Sequence, residues 1–332
     1  MRAPLFWNRP HGLLSRLLYP LELVWISATR RRLTKGAWER LPVPVICVGN
    51  INVGGTGKTP TVIALMDICA ELGASVHVVS RGHGGSEIGP QKVDERTHDA
   101  SQVGDEPLLI SAFGPCWIAK DRAAGAKAAI AAGAEVIILD DGFQNPALAK
   151  DLNIVVVDAE VGFGNGRVMP AGPLRERLSD GLARADVIAL IGTPTAQKQL
   201  AEKTPAITGK PIWEGEIRPL ETGMDWSGTR FIAFAGIGRP GKFFATLSAL
   251  GAEVVATYEF ADHAPYTDAI LQRLQAEAKA KSAQLVTTEK DVARLPVDFR
   301  RNVLTLPVRL VFNDREAVKT AVQEVLATRR PE

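Results

Sequence analysis

The chain has 332 residues, 46% hydrophobic and 23% charged, a composition that excludes a disordered segment and leaves room for two packed domains. Its net charge of +2 is unevenly spread: residues 1–40 hold eight lysines and arginines against Glu22 and Glu39, so the remainder is acidic. This distribution argues against a nucleic-acid partner and points the basic arm at an anionic membrane surface. Cys47, Cys69 and Cys116 are odd in number and widely spaced, as expected of reduced, packed thiols rather than a disulfide framework or metal site.

The run from Leu13 to Ala28 is broken by Arg16, Pro20 and Glu22 and so lacks the roughly 18 apolar residues of a spanning helix. Its positive charges follow the apolar run, and no small-residue cleavage site marks a signal peptide. At about 100° per residue, Leu13, Leu14, Leu17, Leu18, Leu21, Val24, Trp25 and Ala28 share one stripe, away from Ser15, Arg16, Tyr19, Glu22 and Ser27. Leu23 and Ile26 break the pattern. Two readings fit: an interfacial helix lying on a bilayer or receiving an acyl chain, or a helix packed on its own domain with Arg30, Arg31 and Arg32 in solvent.

Next, the apolar strand Pro44–Val48 empties into Asn52-Val53-Gly54-Gly55-Thr56-Gly57-Lys58-Thr59, a glycine-rich loop that opens a helix. Such a loop cradles a polyphosphate: glycines let the backbone approach the oxygens, Lys58 reaches the β- and γ-phosphates, and the Thr59 hydroxyl takes a place on Mg²⁺. Asn52 stands where the usual pattern has its first glycine. These eight residues are the candidate nucleotide contacts, and ATP with Mg²⁺ the candidate ligands.

After the helix Thr59–Leu72 come a strand at Ser75–Ser80, helices at Asp105–Ala112 and Lys120–Ala132, and strands at Glu135–Leu139, Asn153–Val157 and Val187–Ile191. Strands alternating with helices predict an α/β fold of the P-loop NTPase kind, a mostly parallel sheet covered on both faces with its ligand at the strand carboxyl ends. Pro211–Leu220 reads as a linker strand. A second, smaller α/β unit follows: strand Arg230–Ala235, helix Lys242–Leu250, strand Glu253–Tyr258, helix Thr267–Lys281 and strand Gln284–Thr288. The expected division is an arm at 1–35, a P-loop domain at 36–210, linker strands at 211–226 and a smaller domain at 227–332.

Asp140-Asp141 leave an apolar strand at the place where P-loop proteins hold Mg²⁺ against the nucleotide; on its own an Asp-Asp-Gly turn is more often a structural feature, and the upstream phosphate loop reverses that balance. Asp105 either starts a helix as its N-cap, with Pro107 in the first turn, or does chemistry.

Taken together, VGNINVGGTGKTP, SRGHGG, GDEPLL, DDGFQN, PAGPLRE, the stretch ending Asp262-His263 and TTEKDVARL resemble, in order and spacing, the tetraacyldisaccharide 4'-kinase family over nearly the whole chain. The resemblance implies transfer of the ATP γ-phosphate to the 4'-hydroxyl of a tetraacylated glucosamine disaccharide 1-phosphate, a step of lipid A synthesis, by a peripheral enzyme on the cytoplasmic face of the bacterial inner membrane. It implies no nucleic-acid or obligate protein partner. By the same likeness Asp105 is the base, tuned by His263; Lys58 and Arg175 serve the phosphates; Thr59, Glu106, Asp140, Asp141 and Glu176 surround the metal; Gln144 is a positioning candidate. Many members carry tyrosine where His83 stands and a second histidine where Ala264 stands. The competing reading is a membrane-associated P-loop ATPase or GTPase switch. The chain has no Asn-Lys-x-Asp element for guanine, and Val53 occupies the place of the signature lysine of partitioning ATPases.

Overall fold

The structure, a computed structural model, describes residues 4–9 and 12–328; Arg2 of the basic arm lies outside them. The strands are β1 (Val45–Gly49), β2 (Val76–Ser80), β3 (Gln91–Lys92), β4 (Cys116–Ile118), β5 (Val136–Asp140), β6 (Leu152–Asp158), β7 (Val187–Ile191), β8 (Ile212–Pro219), β9 (Arg230–Ala235), β10 (Glu253–Glu259), β11 (Gln284–Thr288), β12 (Val303–Leu306) and β13 (Val308–Phe312). Nine form one sheet in the order β13-β8-β7-β6-β1-β5-β2-β4-β3, with antiparallel pairing only at the edges, β13 on β8 and β3 on β4. The other four make a parallel sheet, β10-β9-β11-β12.

β1, β2, β5 and β7 are buried at every position, which is why their sequences are mainly apolar: helices cover both faces of a parallel sheet. One face packs Val62, Leu65 and Met66 of the Lys58–Glu71 helix with Val318 and Val322 of the last helix. The other packs Ala126 and Ala129 of the Arg122–Ala131 helix and Ile26 of the N-terminal arm. Cys47, Cys69 and Cys116 are free and buried within these layers. β1 lies between β5 and β6, so the loop after it opens at the middle of the sheet's carboxyl edge, where ligands of open α/β sheets bind.

The domain boundaries differ from the expectation. Residues 212–219 are a strand of the large sheet, paired with both β7 and β13, rather than a linker. The smaller sheet is built from residues 230–306, after which the chain returns to the large domain as β13 and the helix Arg315–Ala327. The return was hidden because only Pro307 separates β12 from β13; proline has no N–H for a ladder, so it ends one strand and lets the next join a different sheet.

The arm forms a helix over Tyr19–Thr34, preceded by a short one at Leu13–Leu17. Its packing is inverted. Ser15, Glu22 and Thr29 are buried, whereas Leu13 (86% exposed), Leu17 (74%), Leu21 (56%), Val24 (66%) and Trp25 (43%) face outward. Polar anchors hold it: Ser15 donates to Ala171 O (2.9 Å), Trp25 Nε1 to Arg175 O (2.9 Å), and the Glu22 carboxylate accepts from Val168 N (2.9 Å) and Arg167 (3.2 Å). The apolar stripe is therefore not what packs this helix on its domain. No helix among the described residues is long and apolar enough to cross a membrane.

Candidate active site

The phosphate-loop geometry follows from its sequence. Gly57 adopts φ 94°, a left-handed conformation that favours glycine, and Lys58 then starts the helix. The loop is braced from within by Asn50, whose Nδ2 donates to Gly54 O (3.2 Å) and Thr56 Oγ1 (3.1 Å). Asn52, in place of the usual glycine, turns its side chain away to donate to Gly162 O (2.8 Å). The PAGPLRE segment supports the same loop, with Val53 N donating to Pro173 O (2.8 Å) and Arg175 N to Ile51 O (2.7 Å).

At the end of β5, carboxylates meet this loop. Asp141 holds φ 52° and pairs with Arg175 (2.7 Å) and Lys58 (3.8 Å). Burial alone would push its carboxyl up; Lys58 and Arg175 outweigh that and hold it below the usual carboxylate range. Asp140 differs sharply. It is 1% exposed, accepts one hydrogen bond from Ser80 Oγ (2.8 Å), and leaves Oδ1 without a hydrogen-bond partner. Burial, followed by the charges of Glu106 and Asp141, pushes its pKa up to about 7.

The third part comes from two domains. Gly104 (φ 90°) packs so closely that a Cβ there would stand 2.6 Å from His83 O, and this close approach sets Asp105 at the start of its helix, 5% exposed. His263 Nδ1 from the smaller domain lies 2.9 and 3.0 Å from the two Asp105 oxygens, so a protonated Nδ1 donates to the carboxylate. His263 sits at φ 60°, held by Arg294 donating to Ala264 O (3.0 Å). Arg294 and Lys290 also face Asp105, at 3.6 and 3.9 Å. Burial raises Asp105, but the His263 hydrogen bond and the charges of Lys290, His263 and Arg294 outweigh it, so the carboxyl stays below its ordinary value.

Two cavities meet here. One, of about 260 Å³, runs between the domains and is lined by Gly55–Pro60 on one wall and by Ile237–Arg239, Asp262 and Thr288–Lys290 on the other. Arg239 crosses it to pair with Asp158 and Glu160 (both 2.8 Å). The second, of about 400 Å³, lies against the arm, beneath Trp25 and Thr29; Asp140, Asp141 and the cations Arg32, Arg81, Lys120, Arg122 and Arg175 line it. Glu106 lines both cavities, so the Asp105-Glu106 turn forms the partition between them.

The chain has relatives. A sequence profile described as tetraacyldisaccharide-1-P 4'-kinase (LpxK) matches residues 14–327. The chain belongs to that family. The tetraacyldisaccharide 4'-kinase of Dinoroseobacter shibae is 56% identical, over 99% of this chain and 100% of that one, and the Jannaschia sp. enzyme of the same name is 55% identical over 98% and 99%. The crystal structure of LpxK from Aquifex aeolicus in complex with ATP superimposes with a TM-score of 0.77 at 30% identity, covering 95% of this chain and all of that one.

Within this kinase-family site, the structure brings Lys58, Thr59, Glu106, Asp140, Asp141, Arg175, Asp105 and His263 around the partition. Asn52, Val53 and Gly54 lie outside the cavity lining, which starts at Gly55. Glu176 Oε1 accepts from Arg184 (2.8 Å) and Gln144 (2.9 Å), whereas its buried Oε2 has no hydrogen-bond partner, and Gln144 also donates to Asn50 O (2.8 Å). No group of three or more His, Cys, Asp and Glu side chains able to hold a metal occurs among the described residues. The orphaned, buried Asp140 Oδ1 beside Glu106 nevertheless suits a hard divalent cation, since Mg²⁺ takes one or two carboxylates and fills its shell from phosphates and water. His83, at a position of departure from the family pattern, packs edge-on to His263 with ring centroids 6.0 Å apart.

Sequence reasoning missed four contributors. Arg122 is 3% exposed, points into the second cavity, and leaves Nε without a hydrogen-bond partner. Lys290 and Arg294 flank the dyad. Asp291, fully buried, accepts from Gly236 N (2.9 Å), Tyr266 (2.7 Å), Thr288 (2.6 Å) and Arg294, and so anchors that wall. The last three lie in TTEKDVARL, where a lysine and an arginine four apart around an aspartate are the available signal. Arg122 carried none.

Proposed function

We propose that this chain transfers the γ-phosphate of ATP to the 4'-hydroxyl of a tetraacyldisaccharide 1-phosphate, working at the cytoplasmic face of the inner membrane. The observation that carries the reading is the partition: a phosphate loop on one side, a basic chamber beneath an outward-facing apolar helix on the other, and a histidine-braced carboxylate between.

ATP would lie in the inter-domain cavity with its phosphates over Gly55–Thr59, stabilised by backbone N–H groups and the Lys58 ammonium. The lipid headgroup would enter the second cavity, where five cations receive the phosphorylated sugar and the exposed leucines of the arm stay with the acyl chains. Asp105, held ionised and oriented by His263, accepts the hydroxyl proton as the oxygen attacks. Arg175 and Lys58 hold Asp141 at the loop. Thr59, Asp140 and Glu106 would hold Mg²⁺, which when bound neutralises charge on the β- and γ-phosphates. The ion pairs across the cavity exclude water, so that transfer to the sugar outcompetes hydrolysis.

The purified protein mixed with ATP and tetraacyl disaccharide 1-phosphate is expected to yield a disaccharide carrying a second phosphate. ATP turnover that leaves the lipid unmodified would favour the P-loop switch instead.

A further inference from the structure

The nucleotide cavity is lined by five side-chain cations: Lys58, Arg239, Lys242, Lys290 and Arg309. Three are held away from the partition. Arg239 and Lys242 pair with Asp158 and Glu160, and Arg309 with Glu289 at 3.0 Å. Lys58 serves the loop wall. Lys290, on the opposite wall, is the cation whose ammonium reaches the partition itself: 3.2 Å from Glu106, 3.5 Å from Asp262, 3.9 Å from Asp105 and 3.4 Å from His263 Nε2. One ammonium thus touches three carboxylates, of which Asp105 is shared with His263 and Arg294, and Asp262 Oδ1 is buried with no hydrogen-bond partner. A triphosphate entering this corner would meet an excess of negative charge.

The base on which Lys290 stands is rigid. Thr288 caps its helical turn by accepting from Asp291 N (3.1 Å), and the Asp291 carboxylate ties that turn to Gly236 and Tyr266. The backbone is therefore fixed while the four-carbon side chain, 20% exposed, can swing from one oxygen to another.

We propose that Lys290 is a further catalytic residue, delivered by the smaller domain onto the transferring phosphoryl group opposite Lys58. This rests on the kinase reading and adds a residue to it. In the step, the 4'-oxygen bonds to the γ-phosphorus and its proton passes to Asp105. The bond from γ-phosphorus to the bridging oxygen breaks, and ADP leaves with that electron pair. Charge spreads over the equatorial γ-oxygens during transfer, and Lys290 moves from Glu106 and Asp262 to meet it. A small domain that stays open would withhold both this charge and His263, so closure and chemistry are coupled.

The test compares wild type, Lys290→Met and Lys290→Arg for lipid phosphorylation, for slow ATP hydrolysis without lipid, and for binding of a non-hydrolysable ATP analogue, with thermal unfolding as the control. Loss of one such electrostatic contact is expected to lower both turnover rates about 10²- to 10³-fold in Lys290→Met while analogue binding changes by less than about fivefold, and Lys290→Arg should recover at least about tenfold. Turnover in Lys290→Met within about threefold of wild type, a loss confined to analogue affinity, or an arginine variant no better than methionine would each overturn the assignment. Hydrolysis reports on Lys290 even if the disaccharide proves not to be the acceptor, so the failure of the two readings can be told apart.

Discussion

The two walls of the nucleotide cavity do comparable electrostatic work and are made in opposite ways. On the β1 wall, Gly55 to Thr59 are consecutive, and their geometry follows from a strand, a left-handed glycine and a helix start. The facing wall is assembled from loops after β9, β10 and β11, with Arg239, His263 and Lys290 brought together by a sheet and by the buried Asp291. A local motif makes its site as soon as the chain folds locally, whereas a dispersed wall makes its site only when the smaller domain docks. In the proposed mechanism the first wall holds the phosphates and the second completes the chemistry.

The largest expected effect is on the local wall. Lys58→Ala should lower transfer by more than about 10³-fold, because the loop loses its only ammonium against the phosphates, with thermal stability close to wild type. Retained turnover in that variant would remove the nucleotide from this cavity. At the partition, Asp105→Asn should cost about 10²- to 10⁴-fold in kcat with ATP binding kept, and on the dispersed wall His263→Ala should cause a smaller loss of the same kind. A change in ATP affinity that accounts for either loss would show that the second wall merely binds.

A milder effect tests the chamber beneath the arm. Because Leu17 and Leu21 point outward, the pair Leu17→Glu and Leu21→Glu should leave unfolding unchanged, weaken binding to anionic vesicles and raise the lipid KM about tenfold, with the KM for ATP unmoved. Unaltered vesicle binding would assign the stripe to something other than a bilayer. The smallest effect is on stability. Asp140 has its pKa raised to about 7 in the folded state, so between its ordinary value and that point the folded chain binds more protons than the unfolded one, and stability falls as pH rises. Asp105 has the opposite sign, contributing above its unfolded pKa and losing that contribution in acid. Asp140→Asn should therefore gain in melting temperature over wild type as the ligand-free protein goes from about pH 5 to about pH 8; a constant difference would contradict the assignment.

How much of this was legible follows the same division. β1 and β7 are apolar throughout and β2 and β5 nearly so, so composition and length identify them, and Val187–Ile191, Arg230–Ala235 and Gln284–Thr288 have the same ends in sequence and structure. β4 has three residues and β13 hides behind Pro307, too little pattern to separate from a loop. The loop around Lys58 was readable from spacing because its chemistry is local. The meeting of Asp105 with His263 came from resemblance, since no spacing predicts a contact across 158 positions. The arm's stripe was readable, but which face points inward depends on Ser15 and Glu22 finding partners in residues 165–175, a tertiary fact.

In the proposed mechanism Asp105 and His263, one residue from each domain, form one catalytic unit at the partition. A double-mutant cycle on Asp105→Asn and His263→Ala, read in kcat at saturating ATP and lipid, tests it most directly. Residues acting as a unit are strongly non-additive, so the double variant should be no more than about threefold worse than Asp105→Asn alone. Losses that multiply independently would contradict the account and return Asp105 to a role in the metal site or at the helix start.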